Sequence, residues 1–484
     1  MELLSSALGS AWSIFLIVLF FGGSIFVHEL GHFLAARRRG VRVERFSIGF
    51  GPRVFGWRGK DGVEYRLSWF PLGGYVALPQ LADMSEIEGS SGTDVAALPP
   101  ISYSTKVIVF AAGAFFNILF ALALASVLWF IGQPTSEDLS TTRIGYVSQN
   151  LPLEDGTRVP SPAREAGLKV GDVIRAIDGQ AVADWPELLQ TLVTSSGRTD
   201  DGRRRAVFTV ERDGQLIDLT VHPRLSGDEK VRRVGILAAY TPIIAAVPPD
   251  TYAAKLGFQA GDELKTLDGV PLLNLLSLLD MLQEKTPRPF TLGVNRAGQH
   301  LEITVPADRP AETRGIFGAG FRTNVGLVHN NPIEQVFGHA TMTVRVLMSL
   351  IHPDSDINVS KLSGPVGIGK IFWDASEAGI RYVIWIAILV NVNLAIFNLL
   401  PLPVLDGGHI LFATISKLRG RALSPNFIAS LQSAFIVLLF GMIIYVSFFD
   451  VRRIVRDRAA DVQAREAAEP QEKEAAAPAE TPKP

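Results

Sequence analysis

Four apolar runs dominate the pattern of hydrophobic and polar positions along the chain. They lie within residues 1–36, 107–131, 382–409 and 427–449, and each is long enough for a crossing of about 20 residues. The first run has no small-residue cleavage site after its core and continues directly into three arginines, which predicts a retained helix and not a signal peptide. We therefore expect a mostly α-helical membrane protein with about four transmembrane helices.

Basic residues in the short connections predict how these helices are oriented. Residues 37–106 and 410–426 are rich in Arg and Lys, and such loops favour the cytoplasmic side. Four crossings then place both termini and residues 132–381 on the outer side. Four basic residues after the final helix would then lie on the outer side, against this rule: Arg452, Arg453, Arg456 and Arg458. We keep the orientation, because charges after the final helix usually influence topology least.

The long outer segment repeats itself after about 90 residues. Each copy continues into a helical pattern and then into alternating strands, which predicts two tandem α/β domains over residues 140–225 and 230–310. The period is too long for a solenoid unit. Gly-Asp and Asp-Gly pairs are also frequent turn signals, but six matched positions at one constant offset argue against such a coincidence. The matched pairs are Gly167-Leu168, Gly171-Asp172 and Asp178-Gly179 with Gly257-Phe258, Gly261-Asp262 and Asp268-Gly269.

Three further segments have distinct patterns. Within the cytoplasmic loop 37–106, apolar and polar residues alternate at 42–46 and 64–70, and Gly49-Phe50-Gly51-Pro52 joins these segments. This pattern predicts β-hairpins near the membrane, and a simple loop is the alternative. Residues 311–381 contain an amphipathic helix, Ile333 to Ile351, for which a fifth crossing is the weaker alternative. Residues 450–484 are rich in Ala, Glu and Pro, which predicts a disordered tail.

Composition narrows the possible chemistry. Hydrophobic residues make up 48% of the 484 residues and charged residues 19%, a mixture typical of a membrane core that carries soluble modules. The net charge of -2 provides no overall field that would recruit nucleic acid. Because the chain contains no cysteine, disulfides and thiolate nucleophiles are excluded, and a metal would have to bind to His and carboxylate side chains.

Candidate chemistry begins inside the first apolar run, at His28-Glu29-Leu30-Gly31-His32. Two imidazoles at i and i+4 share one helical face, with a carboxylate beside the first, as in zinc metalloproteases. Ionisable groups in a span are costly, about 2.5 to 3.5 kcal/mol for Asp, Lys or Arg at its centre, which argues against coincidence or simple helix packing. At 1.5 Å per residue, the nine residues from His28 to Arg37 put His28 roughly 13 Å from the basic boundary.

Two histidines leave room on a zinc ion for a third protein ligand and a water. The candidate segment runs from Asn398 to His409, where Pro401 and Pro403 interrupt a helix and allow an irregular turn at membrane depth. Asp406 is an acid in this otherwise apolar turn, and His409 is chemically as plausible a ligand. An ordinary turn that caps the next helix is the alternative reading of Asp406.

Taken together, these motifs resemble the site-2 protease family of intramembrane metalloproteases. The resemblance covers nearly the whole chain except the tail. It implies one zinc ion held by His28, His32 and Asp406, with Glu29 activating the bound water, and so favours Asp406 over His409. The shared features, in order, are residues 28–32, Phe46 through Pro52, Pro71 through Val76, the paired repeats as PDZ-like domains, Ser363-Gly364-Pro365, and Asn398 through Gly407.

The resemblance also implies how substrate is handled. Asn393 and Asn398 would engage substrate or shape the site, although hydrogen bonding between helices remains equally open for Asn393. From the residues themselves, an exposed edge of the hairpins predicted around Gly49, Phe50 and Gly51 could accept an unwound substrate as an added strand, and the family is similar in having a membrane-associated β element here. The outer PDZ-like pair either binds peptides or acts as a steric filter for trimmed substrates, and the family implies the filter.

The expected activity is that of an intramembrane zinc endopeptidase of the bacterial inner membrane. Its substrates would be single-span proteins, such as anti-sigma factors, with leftover signal peptides as a second group, and it would cut them second in a regulated cascade. One alternative is an inactive scaffold that binds partners through the PDZ-like pair, which the presence of Glu29 beside the metal set disfavours. A transporter is a weaker alternative, because the membrane half is not repeated.

Overall fold

The structure is a computed structural model that describes residues 2–81, 98–153, 156–283, 288–308 and 316–476. The chain divides into two units. The helical unit comprises Met1–Ile131, Asn330–Thr343 and Val359–Pro484, and the sheet unit comprises Gly132–His329 and Val344–Asn358. The whole sheet unit thus comes from the long segment between the second and third apolar runs.

Helices account for most of the helical unit and recur at intervals in the sheet unit. In chain order they are α1 (Glu2–Arg38), α2 (Tyr103–Ile131), α3 (Pro162–Glu165), α4 (Trp185–Thr194), α5 (Tyr252–Lys255), α6 (Leu275–Leu282), α7 (Pro332–Ile351), α8 (Pro365–Ala378), α9 (Ile380–Asn398), α10 (Asp406–Arg419) and α11 (Pro425–Ala476). Short 3-10 turns cover Pro79–Leu81 and Val359–Lys361.

Among the described residues, four helices are long and apolar enough to cross a membrane, which confirms the predicted number. They are Gly9–Arg38, Tyr103–Ile131, Ile380–Asn398 and Pro425–Ala460. The third ends at Asn398 and not near residue 409, since Pro401 and Pro403 cannot continue it. Residues 410–426, predicted as a loop, instead belong largely to α10, which ends at a left-handed Gly420.

The predicted disorder of residues 450–484 is wrong for the part that the structure describes. Helix α11 continues from the fourth span to Ala476. The sequence beyond the span is rich in Ala, Glu, Gln and Arg, which are strong helix formers. Because the span has already formed, this extension needs no nucleus of its own. Residues 477–484 lie outside the described residues.

The predicted amphipathic helix of residues 333–351 corresponds to α7, Pro332–Ile351. It presents large apolar side chains that are mostly exposed, with Ile333 and Phe337 each 71% accessible. Within the described residues, α7 is not among the helices that qualify to cross a membrane. The alternative of a fifth crossing therefore finds no support in its length and composition.

Two long strands, β1 (Arg45–Arg58) and β2 (Glu64–Ala77), form an antiparallel hairpin after α1. Residues 45–48 pair with 74–77 as well as with 64–67. The glycine-rich stretch at 49–51 lies inside β1 and does not join the strands, which corrects the prediction. Gly49 and Gly51 have positive φ angles of 85° and 89°, so they permit a bulge in the strand.

The sheet unit consists of short strands arranged around two separate cores. In chain order they are β3 (Gln133–Ser136), β4 (Ile144–Val147), β5 (Asn150–Pro152), β6 (Arg158–Pro160), β7 (Val173–Ile177), β8 (Gln180–Ala181), β9 (Ala206–Arg212), β10 (Gln215–Val221), β11 (Arg224–Ser226), β12 (Val231–Arg233), β13 (Ile236–Ala238), β14 (Ile243–Ala246), β15 (Glu263–Leu267), β16 (Val270–Pro271), β17 (Phe290–Arg296), β18 (Gln299–Val305), β19 (Gly320–Arg322) and β20 (Val325–Val328).

The internal repeat of the sequence is visible in the strand order. The first copy has the order β10-β9-β7-β8, and the second has β18-β17-β15 with β16 also paired to β15. Each copy contains a buried aspartate, Asp172 or Asp262, that receives two hydrogen bonds of 2.7 Å from an arginine. These arginines are Arg212 and Arg296. The two copies are thus built on the same pattern of strands and buried charge.

Residues after α7 are fixed to the first repeat by a second buried ion pair. Asp356 accepts hydrogen bonds from Arg204 and from Arg232, the latter at 2.7 Å. The side chain of Arg232 is 0% exposed and that of Asp356 is 7% exposed. Removal of either partner would leave a buried charge without its counterion.

Candidate metal centre

Three side chains of the helical unit converge beside the C-terminal third of α1. His28 and His32 lie one turn apart on α1, and Asp406 is the first residue of α10. The two Nε2 atoms are 3.1 Å apart, and Asp406 Oδ2 lies 3.3 Å from the first and 3.4 Å from the second. Two helices distant in sequence therefore bring three potential ligand atoms to one point.

These spacings fit a tetrahedral zinc ion. Bonds of about 2.0 to 2.1 Å imply ligand atoms about 3.3 to 3.4 Å apart at the corners of a tetrahedron. Asp406 Oδ2 is buried and makes no hydrogen bond within the described residues. A metal ion bound to this oxygen would supply the partner that it lacks. Neutral imidazoles and a carboxylate are ordinary zinc ligands, and three of them leave one position open.

The turn before α10 places Asp406 through close backbone packing. Pro401 and Pro403 end the preceding helix, and Gln432 of α11 donates a hydrogen bond of 3.3 Å to the carbonyl of Pro403. A Cβ atom on Gly407 would lie 2.3 Å from a backbone carbonyl oxygen, and one on Gly408 would lie 2.0 Å from another. Only glycine fits at these two positions.

Asp406, and not His409, completes the described group of potential metal ligands. The ring of His409 is buried and stacks on Phe110, with ring centroids 4.9 Å apart and planes inclined by 16°. The sequence alone left the two residues open as ligands. The difference arises because Asp406 starts α10, whereas His409 lies almost one turn further along the helix and packs against α2.

A cavity of about 350 Å³ adjoins the three side chains. Glu29, the neighbour of His28, lines it together with Asn398, which was predicted to engage substrate. Further lining residues come from β2, α2 and the turn before α10, among them Gly73, Gly74, Tyr75, Phe110 and Leu405. The arrangement places a carboxylate, a possible metal and room for a peptide segment side by side.

Other predicted substrate residues lie elsewhere in the helical unit. Asn393 is not among the residues that line the cavity, and its Oδ1 accepts a hydrogen bond of 2.5 Å from Thr343 of α7. This contact corresponds to the alternative of hydrogen bonding between helices. Gly49 and Gly51 also lie away from the lining, which takes its glycines from β2. The side chain of Phe50 is outside the described part of the structure.

Sequence reasoning missed the contribution of α2. Val109, Gly113 and Asn117 follow one another at intervals of four residues and all face the two histidines. The carbonyl of Val109 lies 2.8 Å from His32 Nδ1, and the amide of Asn117 lies 3.2 Å from His28 Nδ1. A Cβ atom on Gly113 would approach the rings within 2.4 Å. A buried asparagine in an apolar span was the available signal.

Comparison with known proteins agrees with this geometry. The sequence model of peptidase family M50 matches residues 15–442 of this chain. Regulator of sigma-E protease RseP of Escherichia coli (strain K12) is 31% identical over 467 residues, which is 90% of this chain and 98% of that protein. Protease RseP of Yersinia pestis is 30% identical over 469 residues, with the same coverage.

A further relative names the metal. A candidate zinc metalloprotease of Xylella fastidiosa (strain Temecula1) is 29% identical over 453 residues, covering 89% of this chain and 96% of that protein. The family, this name and the ligand set of two histidines and one aspartate make zinc the cofactor of the chain. With a family match over most of its length, the chain belongs to peptidase family M50, the site-2 protease family of zinc-dependent membrane proteases.

Proposed function

We propose that the chain is an intramembrane endopeptidase that cleaves transmembrane segments of single-span membrane proteins. The observation that carries this proposal is a set of three potential metal ligands, two of which, His28 and His32, lie within a helix apolar enough to cross a membrane. The cavity lies beside these ligands. A peptide bond would therefore have to enter the membrane-spanning part of the protein in order to be cleaved. A site for soluble substrates would not need to be built inside a transmembrane helix.

In this mechanism, His28, His32 and Asp406 would hold the metal. Zinc supplies, when bound, a Lewis acid that polarises the scissile carbonyl and makes a water molecule more acidic. Glu29 lines the cavity next to His28, so its carboxylate takes up the proton of the attacking water. It then delivers this proton to the amine that leaves. Asn398, at the end of α9, lines the same cavity, and there it would hold substrate.

Strand β2 offers a means of holding the substrate extended. A Cβ atom on Gly74 would lie 2.9 Å from Glu29 Cγ, so the backbone of β2 passes directly over this side chain. Residues 74–77 pair with 45–48, and the described residues contribute no further strand to this sheet. An unwound segment added along β2 would present its peptide bonds to Glu29 and the metal.

The relatives suggest a biological setting for this activity. The Escherichia coli relative carries the name regulator of sigma-E protease, so we infer substrates of the anti-sigma-factor type in the bacterial inner membrane, with remnant signal peptides as a second group. The two repeats of the sheet unit would be PDZ-like domains on the outer side. There they would act as a steric filter that excludes substrates with an intact outer domain.

Replacement of Glu29 by Gln tests the proposed function. The purified wild type and E29Q are incubated in detergent with a tagged single-span substrate whose outer domain has been trimmed, and zinc content is measured in parallel. We expect stoichiometric zinc in both proteins and cleavage by the wild type alone. Zinc without cleavage of several such substrates would instead favour the inactive scaffold. Absence of zinc from the wild type would refute the assigned ligands.

A further inference from the structure

Asn117 is an unexplained polar residue in the middle of α2. Its side chain is 0% exposed and lies in a helix whose other residues are almost all apolar. Its amide group is 3.2 Å from Nδ1 of His28, and its Oδ1 atom is buried and makes no hydrogen bond to any described residue. A buried acceptor without a partner is unfavourable, so this amide needs an explanation.

The tautomer that His28 must adopt as a zinc ligand supplies one. A histidine that binds zinc through Nε2 carries its proton on Nδ1 and donates it to an acceptor that fixes the ring. In the arrangement described, the amide nitrogen of Asn117 faces Nδ1, which suits a ring protonated on Nε2. A half-turn of the amide would bring Oδ1 to face Nδ1 instead. It would then accept the Nδ1 proton, and the buried oxygen would gain its partner.

His32 already has an acceptor of this kind. Its Nδ1 lies 2.8 Å from the carbonyl oxygen of Val109, two helical turns before Asn117 on the same helix. Between these two positions, Gly113 leaves space for both imidazole rings. Helix α2 thus offers one acceptor to each histidine, a backbone carbonyl for His32 and a side-chain amide for His28.

We propose that Asn117 is a positioning residue that accepts the Nδ1 proton of His28 and so aims Nε2 of that ring at the zinc ion. This inference rests on the proposed metal ligands. It assigns to α2 a role in metal affinity, although no side chain of α2 belongs to the ligand set. Such partners of metal-binding histidines typically change metal affinity by about 10- to 100-fold when they are removed.

The test compares two substitutions of similar size. N117L removes the acceptor, whereas N117D keeps an acceptor in either orientation of its terminal group. Zinc affinity of each full-length protein is measured in detergent by competition with a chelator, and the visible spectrum of the cobalt-loaded protein reports ligand geometry. We expect N117L to bind zinc about 10- to 100-fold more weakly, with an altered cobalt spectrum, and N117D to bind at least as tightly as the wild type.

N391L is the matched control. Asn391 is also 0% exposed in a membrane helix, but it donates to Ser24 and to the carbonyl of Ala387. A general loss of packing would therefore affect N391L as much as N117L, and equal losses of zinc affinity in both would overturn the proposal. It would likewise be overturned if N117L bound zinc as the wild type does. If N117L does not fold, N117D decides, since a tenfold weaker affinity than the wild type would reject the acceptor role.

H28A separates this inference from the proposed function. If the wild type binds no zinc, or if H28A binds it as tightly as the wild type, the assigned ligands are wrong. If H28A loses zinc while N117L retains wild-type affinity and spectrum, the ligands stand and only the role of Asn117 is rejected.

Discussion

Substitution of Gly113 by Ala should remove zinc from the protein without unfolding it. A Cβ atom at this position would lie 2.4 Å from His32 Nε2 and 2.6 Å from His28 Cε1, whereas ordinary contact begins at 3.4 Å. Both imidazole rings are the ends of rotatable side chains, so they can turn away from the new methyl group. The two ligand atoms would then leave their positions near Asp406 Oδ2.

The expected loss of affinity follows from these distances. Relief of the clash requires a shift of about 1 Å, several times the tolerance of roughly 0.2 Å for the position of a metal ligand. Because ligands themselves move, zinc affinity should fall by more than the roughly 100-fold upper range for residues that only support a ligand. The metal-free fold should not suffer equally, since Ala is favoured over Gly within a helix by roughly 0.5 to 1 kcal/mol.

Chelator competition and thermal unfolding in the presence of chelator measure the two effects separately. G441A provides the control, because a Cβ atom on Gly441 of α11 meets nothing within 4 Å. We expect G113A to unfold near the wild-type temperature without metal and to bind zinc more than 100-fold more weakly. Wild-type zinc affinity in G113A would show that α2 does not confine the two rings, and the reasoning would fail.

Three further predictions concern buried charges of the sheet unit. D356N leaves the fully buried Arg232 without its counterion, so thermal unfolding should show a loss of about 3 to 5 kcal/mol, against at most about 1 kcal/mol for D354N, whose side chain is 55% exposed. Burial alone would raise the pKa of Asp356, but hydrogen bonds from two arginines outweigh it and hold the pKa below the ordinary 3.8. The wild type should therefore be more stable than D356N above pH 3.8. In acid unfolding, this difference in stability should disappear as the pH falls through the lower pKa of the folded state. D172N and D262N should each destabilise their own repeat by similar amounts, about 1.5 to 3 kcal/mol, and hydrogen exchange should locate the effects; a change confined to one variant would contradict their equivalence.

Residues that act through local spacing could be predicted from the sequence. His28 and His32 share a helical face because they are four residues apart, and the four apolar runs define the membrane helices by length alone. The repeat was equally visible, since its turns recur at a constant offset. In each case, the information lies within a short segment and does not depend on how distant segments pack.

Features that depend on packing could not be predicted in this way. The choice between Asp406 and His409 required the position of α10 against α1, and the family resemblance supplied it where residue chemistry did not. Gly49 and Gly51 resembled a turn between two strands, but both lie inside β1, which continues to Arg58 before β2 begins at Glu64. The helix beyond residue 450 was missed because its composition lacks apolar residues, although an existing helix can extend through such a sequence.

Small residues explain why α2 can support the metal centre so closely. A Cβ atom on Gly31, between the two histidines, would lie 2.5 Å from the carbonyl oxygen of Ala112, so this glycine sets the approach of α1 to α2. Small residues commonly allow such approach between membrane helices. Here the same contact brings the Val109 carbonyl and the Asn117 amide within reach of the rings. Helix packing and ligand orientation therefore depend on the same residues, and a change that separates α1 from α2 should weaken metal binding before it unfolds the bundle.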